Sequence, residues 1–207
     1  IKNEKISDIG IGIAIPEGAS IIDASNSVVM PGLIDAKAIS AVRGDINEQS
    51  SEITPAFRIS SGLNPQSKGL KRILQTGVTT LYIPPGGQNL ICGLGVVIKP
   101  MGKTAAEMII KDDAALKIVM GSDSTRGNRI PWRSPPTNFY YRRPTTRMAV
   151  AWMLRKSFFD AKQYATSHEK GNPDMEILSA ALKGEIAIRV TTRRALDIRT
   201  AFRIADE

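Results

Sequence analysis

The stretch Val28-Val29-Met30-Pro31-Gly32-Leu33-Ile34-Asp35-Ala36 divides the chain into two kinds of sequence. A short apolar run ends at Met30, Pro31-Gly32 breaks it, and Leu33-Ile34 restarts as a short buried strand. A polar stretch from Arg43 to Thr54 follows. A long loop after a short buried strand is the arrangement in which a rigid sheet carries functional residues on its loops.

Upstream, short apolar runs at Ile9 to Ile15, Ser20 to Asp23 and Ser27 to Met30 alternate with turn signals such as Pro16-Glu17-Gly18, which predicts a small β unit over residues 1–30. Downstream the pattern changes. Asn64-Pro65 reads as a helix start, with Leu70, Ile73 and Leu74 at helical spacing and Gly77 as the stop. Val78 to Ile83 is a β-branched strand ending in Pro84-Pro85-Gly86-Gly87, and Leu90 to Lys99 and Glu107 to Lys111 read as further strands. Asp112-Asp113 reads as a turn into Leu116 to Met120. Residues 122–144, with Pro131, Pro135, Pro136 and Pro144, read as loop.

Thr145 or Thr146 then caps a helix reaching about Ala165, with Met148, Ala151, Trp152, Phe158 and Phe159 as its expected apolar face. Asn172-Pro173 starts another, which Gly184 stops. A strand from Ile186 to Val190 and an amphipathic helix with Ala195, Ile198, Ala201, Phe202 and Ala205 close the chain. Strands alternating with helices predict an α/β protein with a parallel sheet.

Composition narrows the function classes. The chain has 207 residues, 42% of them hydrophobic and 5% aromatic, so aliphatic side chains must fill the core. No stretch approaches the roughly 18 to 20 apolar residues of a membrane helix, and there is no signal-peptide pattern. Cys92 is the single cysteine, which excludes an intrachain disulfide or a thiolate cluster and leaves a buried structural thiol as its reading. The net charge is +8, and residues 122–207 carry 16 basic against 9 acidic side chains. The cations come as the pairs Arg142-Arg143 and Arg193-Arg194, without a basic block or interleaved aromatics, so nucleic acid is not an expected partner. A chain that begins at Ile1 and stops at Glu207 inside a helical pattern is expected to be a piece of a longer polypeptide.

The Val28 to Ala36 stretch resembles the entry to the first barrel strand of the amidohydrolase superfamily, in which His-x-His normally follows. Gly77-Val78-Thr79-Thr80, the Gly93 to Lys99 segment, Thr146-Arg147-Met148 and the Arg189 to Ile198 segment with Thr200-Ala201 resemble the branch that includes imidazolonepropionase-related amidohydrolases. The resemblance implies a partial (β/α)8 TIM-like barrel with a small N-terminal β-sandwich portion: residues 1–30 in the β-sandwich of a composite domain, residues 31–207 in the N-terminal part of the barrel. It also implies a metal-activated water that attacks a C–N bond, held by imidazole or carboxylate ligands.

The implied ligand positions hold other residues. Lys37 and Ile39 stand where the first histidine pair is expected, Thr191 and Arg193 where a later pair is expected, and Ser122 where relatives often have an acid. The one histidine, His168, falls in a polar connector and reads as a solvated loop residue. Asp35, Lys37, Ser122, Thr191 and Arg193 are the candidates for a vestigial pocket, with no catalytic or metal-binding residue and no cofactor assigned to the segment. Asp35 reads more simply as a backbone hydrogen-bond acceptor, and Lys37 either as a strand-end lysine reaching solvent or as a buried fixed charge. The Pro84 to Gly87 turn reads as a tight turn before an anion cradle. Arg147, Arg155 and Lys156 are expected on the exposed side of their helix and Trp152 in the core.

Three readings follow. One is a catalytically silent amidohydrolase-like domain, a pseudoenzyme serving as scaffold, partner-binding or dimerisation element. Another is a hydrolase of cyclic amide or amidine C–N bonds whose zinc or other divalent ion is held by ligands outside this segment. The last is a basic binding module. The expected partner is the remainder of the barrel or another amidohydrolase-like chain, with a homo-oligomer expected and no membrane, because an incomplete barrel leaves unpaired strand edges.

Overall fold

The computed structural model describes residues 1–207 apart from 4, 40, 41, 43–45, 49, 126, 127, 129–142, 168 and 169. His168, Arg43, Arg142 and most of the proline-rich loop therefore lie outside the described residues. The chain divides into two compact units, Ile1–Pro31 and Gly32–Glu207.

The first unit is built from turns. Ala19 N donates to Pro16 O at 3.2 Å and Ser27 N to Ala24 O at 2.9 Å, while Asp23 accepts from the backbone and hydroxyl of Ser25. Its β pairing among the described residues is the isolated Lys2/Lys5 bridge, and the strands expected at Ile9 to Ile15, Ser20 to Asp23 and Ser27 to Met30 are not formed. Strand geometry persists where a neighbouring strand takes up the backbone groups, and a lone short hairpin is marginal at best.

The second unit is a mixed α/β structure around a five-stranded sheet, β1 (Leu33–Asp35), β2 (Val78–Ile83), β3 (Ile91–Ile98), β4 (Ile109–Val119) and β5 (Ala187–Thr191), in that spatial order. β1 and β2 are parallel, as are β4 and β5. β3 runs antiparallel to both its neighbours, which corrects the expectation of a parallel sheet. The cause is connection length: a parallel crossover needs a dozen or more residues, and residues 84–90 and 99–108 are too short to supply one. Only one helical turn, α2 (Ala105–Met108), fits between β3 and β4.

β4 also corrects the sequence reading. Asp112-Asp113 does not turn the chain back but bulges within one continuous strand: the register passes from Gly95↔Ala115 to Val97↔Lys111, and Asp113 takes a φ of 49°. Arg58 holds the bulge with two bonds of 2.8 Å to Asp113, and Ser60 Oγ donates to Asp112 at 3.0 Å.

The helices begin at capping side chains. Ser67 Oγ caps α1 (Lys68–Gln75), so that helix starts later than Asn64-Pro65, and Asn64 instead accepts from Gln66 N in a local turn. Thr146 caps α3 (Arg147–Thr166), and Asn172 caps α4 (Pro173–Leu182) with proline in the first turn. α5 spans Ala195–Ala205. On α3 the buried face is Val150, Met153, Leu154, Ser157 and Ala161, and Trp152 and Phe159 are each 60% exposed. Trp152 is thus a surface residue and not the core residue expected. The face that fills the core alternates small and medium side chains, which lets α4 approach: Ser179 Oγ donates to Ala161 O at 3.2 Å.

Two apolar clusters hold the unit together. One joins Leu90, Leu94, Leu116 and Ile118 of the sheet region to α3 and α4 through residues such as Leu154 and Leu178. The other joins Leu81, Ile83, Val96 and Ile98 to Leu70 of α1 and Met108 of α2. Among the described residues no helix is long and apolar enough to cross a membrane.

Candidate functional site

Side chains alternate across a sheet, and β4 shows what that does here. Leu116, Ile118 and Met120 join the core under the helices, so Lys117 between them is turned to the opposite face. In the β4–β5 register Lys117 is the partner of Arg189 and Val119 that of Thr191. The opposite face at this end of β4 and β5 opens into a cavity of about 280 Å³, lined by Lys37 beyond β1, Tyr82 and Pro84 at the end of β2, Lys117, Arg189 and the residues from Val190 to Thr192.

The cavity is cationic. Lys117 is only 5% exposed, and its ammonium donates to Pro85 O at 2.7 Å. Burial pushes it below the usual lysine range and the charge of Lys37 acts the same way, while Cys92 and Asp123 oppose the shift. Arg189 lies over the Tyr82 ring, 4.2 Å from its centroid. Burial raises the Tyr82 phenol, and the nearby Arg189 charge works against it. Gly95 makes room for this ring, since a Cβ there would stand 2.3 Å from the Tyr82 hydroxyl.

The expected pocket residues are placed as follows. Lys37 and Thr191 line the cavity. Asp35 accepts from Lys37 N at 2.8 Å and shapes the turn after β1. Ile39 is 58% exposed. Ser122 is exposed and its carbonyl accepts from the Thr125 hydroxyl at 3.1 Å. Arg193 lies outside the lining and donates to Asp123 at 2.5 Å, so the acid near this end of β4 is the residue after Ser122.

Sequence reasoning missed Lys117, Arg189 and Tyr82. The available signal was a lone cation inside each of two apolar strands, Ala115-Leu116-Lys117-Ile118 and Ala187-Ile188-Arg189-Val190. Arg147 is exposed, as expected, but it is not without a partner. It makes a two-pronged ion pair with the buried Asp197 at 2.8 and 3.3 Å, joining the starts of α3 and α5. Cys92 is buried as expected, and burial pushes its thiol up to about 11.

Two polar groups of the Pro84 to Gly87 turn are engaged within the protein. Gly86 N donates to Ile46 O at 2.6 Å, and Pro85 O accepts Lys117.

The residues present do not fit a divalent ion. Among the described residues no group of three or more His, Cys, Asp or Glu side chains is placed to hold one. The cavity instead offers two ammonium groups and a guanidinium, which only donate hydrogen bonds and repel cations.

The class defined by this fold is a curled half-barrel sheet with its cavity at strand ends, consistent with part of a TIM-like barrel. No protein-family model matches the sequence. The crystal structure of an amidohydrolase from Thermotoga maritima MSB8 superposes with a TM-score of 0.87 at 30% identity, covering 100% of this chain and 56% of that one. The amidohydrolase tasK of Hapsidospora irregularis is 28% identical over an alignment 213 residues long that covers 84% of this chain and 21% of that protein. The chain therefore spans a little over half of one relative and about a fifth of the other. Both similarities support the amidohydrolase superfamily.

Proposed function

We propose that this chain is the N-terminal half of a catalytically silent amidohydrolase-like barrel of the imidazolonepropionase-related branch, acting as a scaffold or as a partner or dimerisation element. The observation that carries the reading is the cavity lined by Lys37, Lys117 and Arg189 at the place where a barrel of this kind would do its chemistry. Lys37 and Ile39 take the places of the first histidine pair in this reading, and Thr191 and Arg193 those of a later one. The unit over residues 1–30 contributes to a β-sandwich whose pairing strands come from elsewhere in the polypeptide.

The sheet edges support a scaffold role. Among the described residues β1 and β5 each have a single neighbour, and Ile34, Ile188 and Val190 on them are exposed. Below β5 a groove of about 510 Å³ is walled by Ile118, Leu154, Phe158, Ala201 and Ile204. The remainder of a barrel, or a second amidohydrolase-like chain, would cover both.

A second reading, a metal-dependent hydrolase of cyclic amide or amidine C–N bonds with ligands from outside this segment, is favoured by one fact: the relatives are named amidohydrolases and extend well beyond the matched region. An assay of the full-length protein against cyclic amides, with chelator and with added zinc or manganese, separates the two. No turnover under any of these conditions agrees with the silent reading, and turnover that does not respond to metal would contradict it. Turnover abolished by chelation and restored by one metal would replace it with the second.

A further inference from the structure

We propose that the cavity between β2, β4 and β5 binds a small oxyanion, a phosphate or a carboxylate group, in place of a metal ion. The inference rests on the metal-free reading and gives that site a ligand class. Three cationic side chains on separate elements, Lys37, Lys117 and Arg189, converge on one cavity of about 280 Å³, and no carboxylate lines it. Among the described residues none of the three belongs to an ion pair, although Arg58, Arg147, Arg155, Lys156 and Arg193 all do.

The donors are arranged for an anion. The Arg189 guanidinium carbon stands 4.2 Å from the centre of the Tyr82 ring, and a guanidinium held against a ring has N–H groups left for a two-pronged bond to an oxyanion. Lys117 is fixed by Pro85 O, which occupies one of its three N–H donors. Its burial makes an anion there more favourable than the same contact in water, because the charge is already desolvated. Thr191 and Thr192 bring hydroxyl-bearing side chains to the rim. The volume is at the lower end of small-molecule sites, which run from about 300 Å³ upward, so a compact acid fits and a long one does not.

The carboxylate has two sources, a free small acid or an acidic side chain from elsewhere in the polypeptide, and the test separates them. Inorganic phosphate and acetate are titrated separately into the full-length protein by calorimetry, with metal content measured on the same sample. The expected result is saturable phosphate binding, displaced by acetate, that Lys37→Met and Arg189→Met each weaken by about tenfold or more, the effect of losing a charge-assisted hydrogen bond. Lys183→Met, at the exposed residue just after α4, leaves it unchanged. Absence of saturable binding overturns the proposal, as does equal weakening by Lys183→Met. No phosphate binding together with a lower Tm for Arg189→Met identifies an internal carboxylate as the occupant and overturns the free-ligand site. Binding that appears only with a stoichiometric metal and vanishes on chelation overturns the metal-free reading as well, whereas a metal-free protein that ignores phosphate overturns the anion site alone.

Discussion

Lys117 and Arg189 are register partners across the parallel β4–β5 pair, and both line the same cavity. Like charges placed opposite each other across a sheet oppose pairing, so these two need local support. Pro85 O accepts a hydrogen bond from Lys117, the Tyr82 ring lies against Arg189, and the negative charge of Asp123 acts on Lys117. Lys37 adds a further cation. This surplus of positive charge distinguishes the site from one built to grip a divalent ion.

Leu116 is fully buried between the sheet and the helices of the first cluster. Leu116→Ala should cost about 2–5 kcal/mol through lost burial and the residual cavity. Urea unfolding checks this, and a change under about 1 kcal/mol would contradict the packing described.

Gly121 has a φ of 90°, and a Cβ there would stand 2.4 Å from Asp197 Oδ2. Gly121→Ala should therefore destabilise by about 1–2 kcal/mol from backbone conformation alone, with a further loss as Asp197 is displaced from Arg147. A crystal structure of the variant should show that ion pair opened. An unchanged Tm with the pair intact would contradict the close approach.

Cys92 loses water on folding, which disfavours the thiolate and raises its pKa to about 11, although the Lys117 charge pulls the other way. The nucleophile is the thiolate, so the native protein should react slowly with iodoacetamide at pH 8 and faster as the pH approaches 11. Unfolding at pH 8 should expose a normal thiol. Rapid native alkylation at pH 8, matching the unfolded chain, would show that the thiol is not buried.

Residues 1–207 prepared alone should self-associate, because β5 has an edge unpaired among the described residues and exposed apolar residues beside an apolar groove. Light scattering should find a mass above the 22.5 kDa chain, and Ile188→Lys, at a position 41% exposed, should reduce association. A clean monomer would contradict the open half-barrel.

Much of the architecture was legible because local chemistry decides it. Thr146, Asn172-Pro173 and Gly184 bound helices whose ends follow from capping and a positive φ at Gly184. The direction of β3 was legible only from loop length, a signal the apolar run of β3 does not contain. Asp112-Asp113 misled because turn residues also form bulges, and long-range pairing with Arg58 chose between the two.

On α3, Trp152 and Phe159 follow a helical spacing but fall on the exposed side, since the period does not say which stripe meets the neighbouring helix. Of the candidate pocket, Lys37 and Thr191 reach the cavity because they extend strands that end there. Arg193 lies past the end of β5, where Asp123 draws it aside.

Whether the cationic cavity excludes a metal ion is decided by elemental analysis of the full-length protein, purified without chelator. Zinc, nickel, manganese and iron should all lie far below one equivalent per chain. One full equivalent of a transition metal, lost when Lys117 or Thr191 is substituted, would contradict that exclusion.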